Sequence, residues 1–476
     1  MTLTKKTASI CMLVVLFSTV LFPVASSGLT VMEEEQLARE YLKILSAQME
    51  IVDDPMIVGY VNSLGQKLVK AFPQQPFTYQ FYVVRQEVYN AFAIPGGHIF
   101  VYTGLIAAMD SEEELAGILS HEISHVFCRH IAQKIEKSKK INMATLAGVA
   151  AGILLGAAGG GDVASAVTLG SMAAGQSAAL ANSRADEIQA DQIGLEYLTQ
   201  AGYSGEGLLN ILNKIRAKQW FGADVVPSYL MTHPAVEDRL AYIDTFLDKQ
   251  HRDKGPTAAV SSDRFALVQA RVVGLYSDEK IALNTFAARI EQNPTNPIGY
   301  YGYGLALSRS GDYERAVEAL KKALTINAFD AFSLTALGRV YFTAGHYPEA
   351  LSTLQSALSI DPQNPEGIFY LGRTQLELGN PQQAAAHFES LTKKGFRDKQ
   401  LQYFLAKAYG EQGDLGEAHY HMGMYHLQRM DLRKARAQLG LALEETRSPE
   451  RREEVEKLLK QIDEQLAAQK KQQQQG

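Results

Sequence analysis

The strongest constraint in this chain is a repeat in its second half. Gly304, Gly338 and Gly372 are 34 residues apart, and so are Gly311, Gly345, Gly379 and Gly413. Ala316, Ala350, Ala384 and Ala418 keep the same interval; Ala282 extends the alanine series backwards, and Pro294 and Pro362 lie two periods apart. A unit of this length folds as two antiparallel helices, and small residues at fixed offsets let those helices cross closely. Neighbouring units then stack to bury what one unit cannot.

This period with these offsets is the tetratricopeptide signature. After Ala418 the register slips by half a period, with Gly423 and Ala435 taking the glycine and alanine positions. One helix is therefore expected to serve two repeats. The α-solenoid is assigned to residues 262–446. A charged closing helix over 450–468 and a tail of disordered composition, Lys470 to Gly476, make up 447–476. The polar run from Lys249 to Pro256 marks a linker over 249–261.

A chain of 476 residues is too long for one core, and residues 28–248 read as a second domain. Residues 33–73 are expected to be helical: Leu37, Tyr41, Ile44 and Leu45 share one face, and Val58, Val61, Leu64 and Leu68 another. Phe77–Val84, Asn90–Ile94 and His98–Thr103 are rich in aromatic and β-branched residues and read as strands of a small sheet. A helix then opens at Ser111, where Glu114 completes a capping box, and continues to about residue 137. The fold class is mainly α, with a small sheet in the first domain.

Lys5 and Lys6, the apolar run from Ala8 to Ala25 and the small residues up to Gly28 form the pattern of a secretory signal peptide over 1–27. The run from Ile10 to Phe22 is short for a spanning helix, and Pro23 ends it. Without that leader, Cys128 is the one cysteine left, so no intrachain disulfide is expected. A net charge of -6 gives no reason to expect a nucleic-acid partner. Between Ile141 and Ser183 the only charged residue is Asp162, and Gly148, Gly152 and Gly156 recur every fourth position. The segment reads either as a membrane-touching hairpin or as an Ala/Gly helical pair over the first domain, the second being favoured.

His121-Glu122-Ile123-Ser124-His125 is an HExxH motif inside the capped helix. Positions four apart share a helix face, so both imidazoles reach one zinc ion, with Glu122 placed to accept a proton from water. A third ligand is needed. Glu187 is the best candidate and Asp186 its rival; Asp191, one turn on, faces the same way and suits a hydrogen bond to a ligand imidazole. Gly194, on the same helix, permits close packing. Cys128, His130 and His98 read as packing or structural residues.

The HEISH motif, the Ser-Arg-x-x-Glu-x-x-Ala-Asp string from Ser183 to Asp191, and Thr232-His233-Pro234 with Arg239 resemble the HtpX and CAAX-prenyl-endopeptidase superfamily of zinc peptidases. A leader first and tetratricopeptide repeats last resemble its exported branch, the β-barrel assembly-enhancing protease group of the Gram-negative periplasm. The resemblance implies a zincin-like metallopeptidase domain holding one zinc ion per chain, with His121, His125 and Glu187 as ligands and Glu122 as general base. Asp191 becomes the orienter of a ligand. His233 is implied as an extra ligand that blocks the water site or as a group stabilising the tetrahedral intermediate, with Arg239 beside it. The exported relatives can carry cysteine pairs in their repeats; this chain has none there.

The strand residues Gly97, His98, Ile99, Phe100 and Val101 are expected to form an edge onto which an extended substrate adds. The leading functional reading is a periplasmic zinc endopeptidase acting on unfolded or misassembled envelope proteins. Its repeats are expected to bind clients or the outer-membrane assembly machinery. Two alternatives stand beside it: a chaperone or scaffold for outer-membrane protein assembly with latent protease activity, and a membrane-embedded peptidase anchored through 141–183.

Overall fold

A computed structural model describes residues 29–137, 183–221, 228–254, 263–396 and 400–475. The expected leader, residues 141–182 and most of the linker lie outside the described residues. The N-terminal helical region divides into α1 (Val31–Gln48) and α2 (Pro55–Val69). Thr30 and Glu33 form a reciprocal capping box at α1, and Asp54 caps α2 ahead of Pro55.

The sheet contains β1 (Gln80–Val84), β2 (Ala91–Ile94) and β3 (His98–Tyr102), in the order β1-β3-β2. β3 runs parallel to β1 and antiparallel to β2. The hairpin turn between β2 and β3 needs Gly96 and Gly97 at φ 80° and 88°, a region other residues rarely enter. This order corrects the edge-strand expectation. Gly97, His98, Ile99, Phe100 and Val101 belong to the central strand and its turn, and β3 is bonded on both sides, so it offers no free edge. β1 and β2 flank it, and β2 packs beside the HExxH helix.

The remaining elements of the first domain are α3 (Thr103–Ala107), α4 (Glu112–Phe127), α5 (His130–Lys137), α6 (Arg184–Gln200), α7 (Glu206–Phe221), α8 (Ser228–Thr232) and α9 (Val236–Lys254). Ser111 accepts from the Glu114 amide as expected. The Glu114 carboxylate, however, turns to the Asp110 amide and to Lys214, so the box is only half formed. α4 stops at Phe127, short of residue 137, because Arg129 takes a left-handed φ of 55° and sends the chain off as α5. α4 is buried along most of its length. Gly117 allows this on one side: a Cβ there would sit 2.8 Å from the Leu208 backbone of α7.

The second half is a ladder of helices: α10 (Asp263–Tyr276), α11 (Glu279–Gln292), α12 (Pro297–Arg309), α13 (Tyr313–Ile326), α14 (Ala331–Thr343), α15 (Tyr347–Ile360), α16 (Pro365–Glu377), α17 (Pro381–Lys393), α18 (Leu401–Gln412), α19 (Leu415–Gln428), α20 (Leu432–Glu445) and α21 (Pro449–Gln475). Each glycine of one sequence series faces a large side chain of the next helix: Gly304 meets Leu320, Gly338 meets Leu354 and Gly372 meets Phe388. Gly423 meets Leu439 in the same way. α19 therefore packs backwards on α18 and forwards on α20, the half-period slip seen in the sequence. α21 continues to Gln475, beyond the residue 468 at which the charge pattern ends it.

α10 joins the two halves. Phe265, Val268 and Val272 enter the core of the first domain, while Ala270 and Val273 pack among the repeats. Arg271 lies between them and bonds Asp54 at 2.6 Å, Glu366 at 2.7 Å and the Tyr301 hydroxyl at 3.1 Å. Arg339 holds the other oxygen of Glu366 at 3.0 Å. Burial alone would raise the Glu366 pKa, but the two guanidinium groups outweigh it and hold the carboxyl below its ordinary value. Among the described residues no helix is long and apolar enough to cross a membrane.

Candidate metal centre

His121 and His125 project from one face of α4, one turn apart, and their Nε2 atoms come within 3.0 Å of each other. α6 lies across that face, and Gly194 sets the separation. A Cβ at Gly194 would stand 3.3 Å from Ser124 Oγ and 3.4 Å from the His121 Cα, and the Gly194 carbonyl accepts from Ser120 Oγ at 2.8 Å. Glu187, one turn into α6, thereby reaches His121 Nε2 at 3.3 Å and His125 Nε2 at 3.4 Å. Asp186, the rival, is spent elsewhere. It closes the capping box with Ser183 and pairs with Lys134 at 3.2 Å.

His233 follows α8 and stacks on Tyr229, their ring centroids 4.4 Å apart. Its Nδ1 lies 3.2 Å from Glu187 Oε1 and 3.4 Å from His121 Nε2. One ligand atom from each of His121, His125, Glu187 and His233 falls within 4.8 Å of the others, and all four residues are buried. A tetrahedral ion with ligand bonds of about 2.0–2.1 Å requires ligand atoms about 3.3–3.4 Å apart. The separations among His121, His125 and Glu187, 3.0–3.4 Å, fit it, and His233 Nδ1 stands 3.2 and 3.4 Å from Glu187 and His121.

Behind the cluster the two α4 imidazoles are held differently. His121 Nδ1 meets Asp191 at 2.8 Å, and Arg239 grips Asp191 with two bonds of 2.7 and 2.9 Å while its third nitrogen lies 3.1 Å from Glu187. The Arg239 guanidinium is thus occupied by two carboxylates. His125 Nδ1 meets the neighbouring imidazole of His130 at 2.8 Å, and His130 Nε2 bonds Gln189 Oε1 at 3.0 Å. Composition and spacing did not reveal this relay. His130 doubles back on His125 only because the chain turns at Arg129.

Burial and Arg239 oppose a proton on His121, but Asp191 and Glu187 outweigh them and lift its pKa to about 9. Burial holds His125 well below the ordinary range. For Glu187 burial works the other way, yet His233, Arg239 and His125 keep it ionised far down in pH. Glu122 differs from all of these. Both of its carboxylate oxygens are buried without a hydrogen-bond partner, and His233 Nε2 lies 3.4 Å from Oε1. Burial raises its pKa above the ordinary carboxylate value. Cys128 and His98 lie outside the four-residue cluster. Burial pushes the Cys128 thiol up to about 11, and His98 bonds the Tyr82 hydroxyl at 3.0 Å.

The sequence model of peptidase family M48 matches residues 58–246, a span that includes every residue of this cluster and its supports. The chain carries an M48 peptidase domain. Two tetratricopeptide models match residues 298–363 and 341–408 of the ladder behind it. The chain is 28% identical to the β-barrel assembly-enhancing protease of Escherichia coli over 318 residues, 65% of this chain and 63% of the relative. It is 29% identical to the putative β-barrel assembly-enhancing protease of Vibrio cholerae over 66% of this chain and 64% of that one. A mitochondrial metalloendopeptidase of Arabidopsis thaliana is 31% identical over 41% of this chain and 37% of its own length. The M48 match extends from α2 to α9, and the chain covers just under two thirds of the length of the bacterial relatives.

Proposed function

We propose that this protein is a zinc-dependent endopeptidase of the periplasm that cuts extended segments of unfolded or misassembled envelope proteins, with its repeats gripping clients or assembly partners. The observation that carries the reading is the convergence of His121, His125 and Glu187 beside the orphaned carboxylate of Glu122. Two imidazoles and a carboxylate form a donor set of the catalytic-zinc type. The ion they would hold supplies Lewis acidity toward a scissile carbonyl and toward water. Glu122 takes the proton of the attacking water and returns it to the leaving amine. Asp191, fixed by Arg239, and His130, fixed by Gln189, keep the two imidazoles aimed. The leader pattern and the relatives' names support the periplasmic and outer-membrane assignment.

We infer that an extended substrate pairs with β2 rather than β3. Tyr102 donates to the Asn90 carbonyl, so in the β2–β3 register Asn90, Phe92 and Ile94 turn their main chain toward β3. Ala91 and Ala93 then turn theirs outward, and the Ala91 carbonyl meets His233 at 3.3 Å. A peptide pairing with Ala93 would lie alongside the four-residue cluster. This mode selects chains without their own strand partners.

The second reading, a chaperone or scaffold with latent activity, is favoured by one observation. His233 fills the fourth corner of the cluster, the position that a catalytic metal keeps open. Two positions after His233, beyond Pro234, Ala235 holds a left-handed φ of 61°, a strained residue close to the group that must leave. E122Q separates the two readings. Loss of casein cleavage together with loss of the cellular phenotype supports the peptidase; an intact phenotype supports the scaffold.

A further inference from the structure

The turn that ends α4 is held from the far end of the first domain. Arg129 stands at a left-handed φ of 55°, a region that costs any residue with a side chain and persists only where the surroundings enforce it. Its amide donates to the Val126 carbonyl and its carbonyl accepts from Gln133, so this one residue closes α4 and opens α5. With a right-handed Arg129, α4 would run on toward residue 137, as the sequence pattern favours. A residue five positions after His125 would then lie about 140° round the helix from it. His130 would leave His125 Nδ1, which it meets at 2.8 Å in the turned chain.

The groups that enforce the turn lie at the start of α1. Glu34 is 2% exposed, and its Oε1 accepts from Arg129 Nε at 2.5 Å and meets Nη2 as well. Nη2 also donates to the Leu29 carbonyl, and the Leu29 amide donates to Glu136 Oε1 at 2.5 Å. Glu136 lies on α5, so the residue before the α1 cap is bonded both to the turn and to the helix that follows it. Glu34 and Arg129 share a small cleft with His125, Ala93 and Pro95, which sets this clasp beside a candidate metal ligand. A buried carboxylate that holds a guanidinium by charge-assisted bonds fixes its position, and here that also fixes the backbone carrying it.

We propose that Glu34 is a positioning residue for the metal centre. By holding Arg129 in the left-handed region it stops α4 from running on into α5, and so keeps His130 against His125. The proposal deepens the peptidase reading and rests on it for its consequence; the clasp itself involves no metal.

The test is a double-mutant cycle of E34Q and R129G in the full-length protein, with the melting temperature of each metal-free variant as the control for folding. Hydrogen exchange of the metal-free proteins reads the turn. E34Q is expected to speed exchange of the amides from Cys128 to Gln133 about five- to tenfold, with those of α14 unchanged. Zinc affinity, measured by competition with a chelator, should fall up to about tenfold. In the R129G background the turn needs no clasp, because glycine enters the left-handed region freely. There E34Q should change neither quantity for the worse, since it also removes a buried carboxylate that has lost its guanidinium. An E34Q effect of equal size in both backgrounds, or in neither, overturns the proposal. So does faster exchange in E34Q with zinc affinity still at the wild-type value. Wild-type protein that takes up no zinc would remove the metal reading instead, and the exchange cycle alone would then decide the clasp.

Discussion

Replacing His130 by alanine gives the sharpest test of how the metal site is supported. If His125 binds metal through Nε2, its Nδ1 carries the hydrogen and donates to His130 Nδ1 at 2.8 Å. That nitrogen must then be bare, so His130 carries its own hydrogen on Nε2 and donates to Gln189 at 3.0 Å. One acceptor thus fixes both tautomers. Alanine removes it from a site where His130 is only 2% exposed, leaving the His125 N–H without a partner. Loss of such an outer partner costs about 10–100-fold in metal affinity, or about 1.4–2.7 kcal/mol. Glutamine restores an acceptor and should recover part of the loss. The assay is zinc competition against a chromophoric chelator at neutral pH, with the melting temperature of the metal-free proteins as the control for folding. Equal affinity for H130A and wild type, or no difference between H130A and H130Q when both fold, would refute the relay.

Two further outcomes follow from the packing. G194L wedges α6 off α4, because even a Cβ at Gly194 stands 3.3 Å from Ser124 Oγ and 3.4 Å from the His121 backbone; a loss of about 1–3 kcal/mol in thermal unfolding is expected, together with reduced metal content, and G194A is expected to show the same direction with a smaller loss. E366Q leaves Arg271 and Arg339 short of their shared carboxylate and should cost about 3–5 kcal/mol near neutral pH. Since the folded pKa of Glu366 is depressed, its contribution is present above the unfolded carboxylate range and is lost as pH falls through the folded value. The gap between wild type and E366Q in denaturant unfolding should therefore shrink on acidification, and a gap that widens would contradict the assignment.

Periodicity made the repeats legible: Gly304, Gly338 and Gly372 each face a large side chain in the structure, and the slip at Gly423 is real. The HExxH pair was legible because one helical face decides it. Glu187 was readable as a candidate, but only the capping of Asp186 by Ser183 removes the rival. Strand order was not legible: Ile99–Tyr102 of the central strand and Ala91–Ile94 of a flanking strand are equally unbroken, equally buried apolar runs, because cover on the two faces does not decide which strand is bonded on both edges. His130 and the Arg271–Asp54–Glu366 cluster were beyond reach because each depends on where the chain returns. A left-handed residue at Arg129 decides the first, and contacts across more than two hundred positions decide the second.

In the proposed site a carboxylate from α6, Glu187, completes what His121 and His125 begin on α4. Metal analysis of purified wild type beside E187Q tests it most directly. About one zinc per wild-type chain is expected, with little or none in E187Q and both proteins folded. Full zinc occupancy in E187Q, with casein cleavage intact, would contradict it.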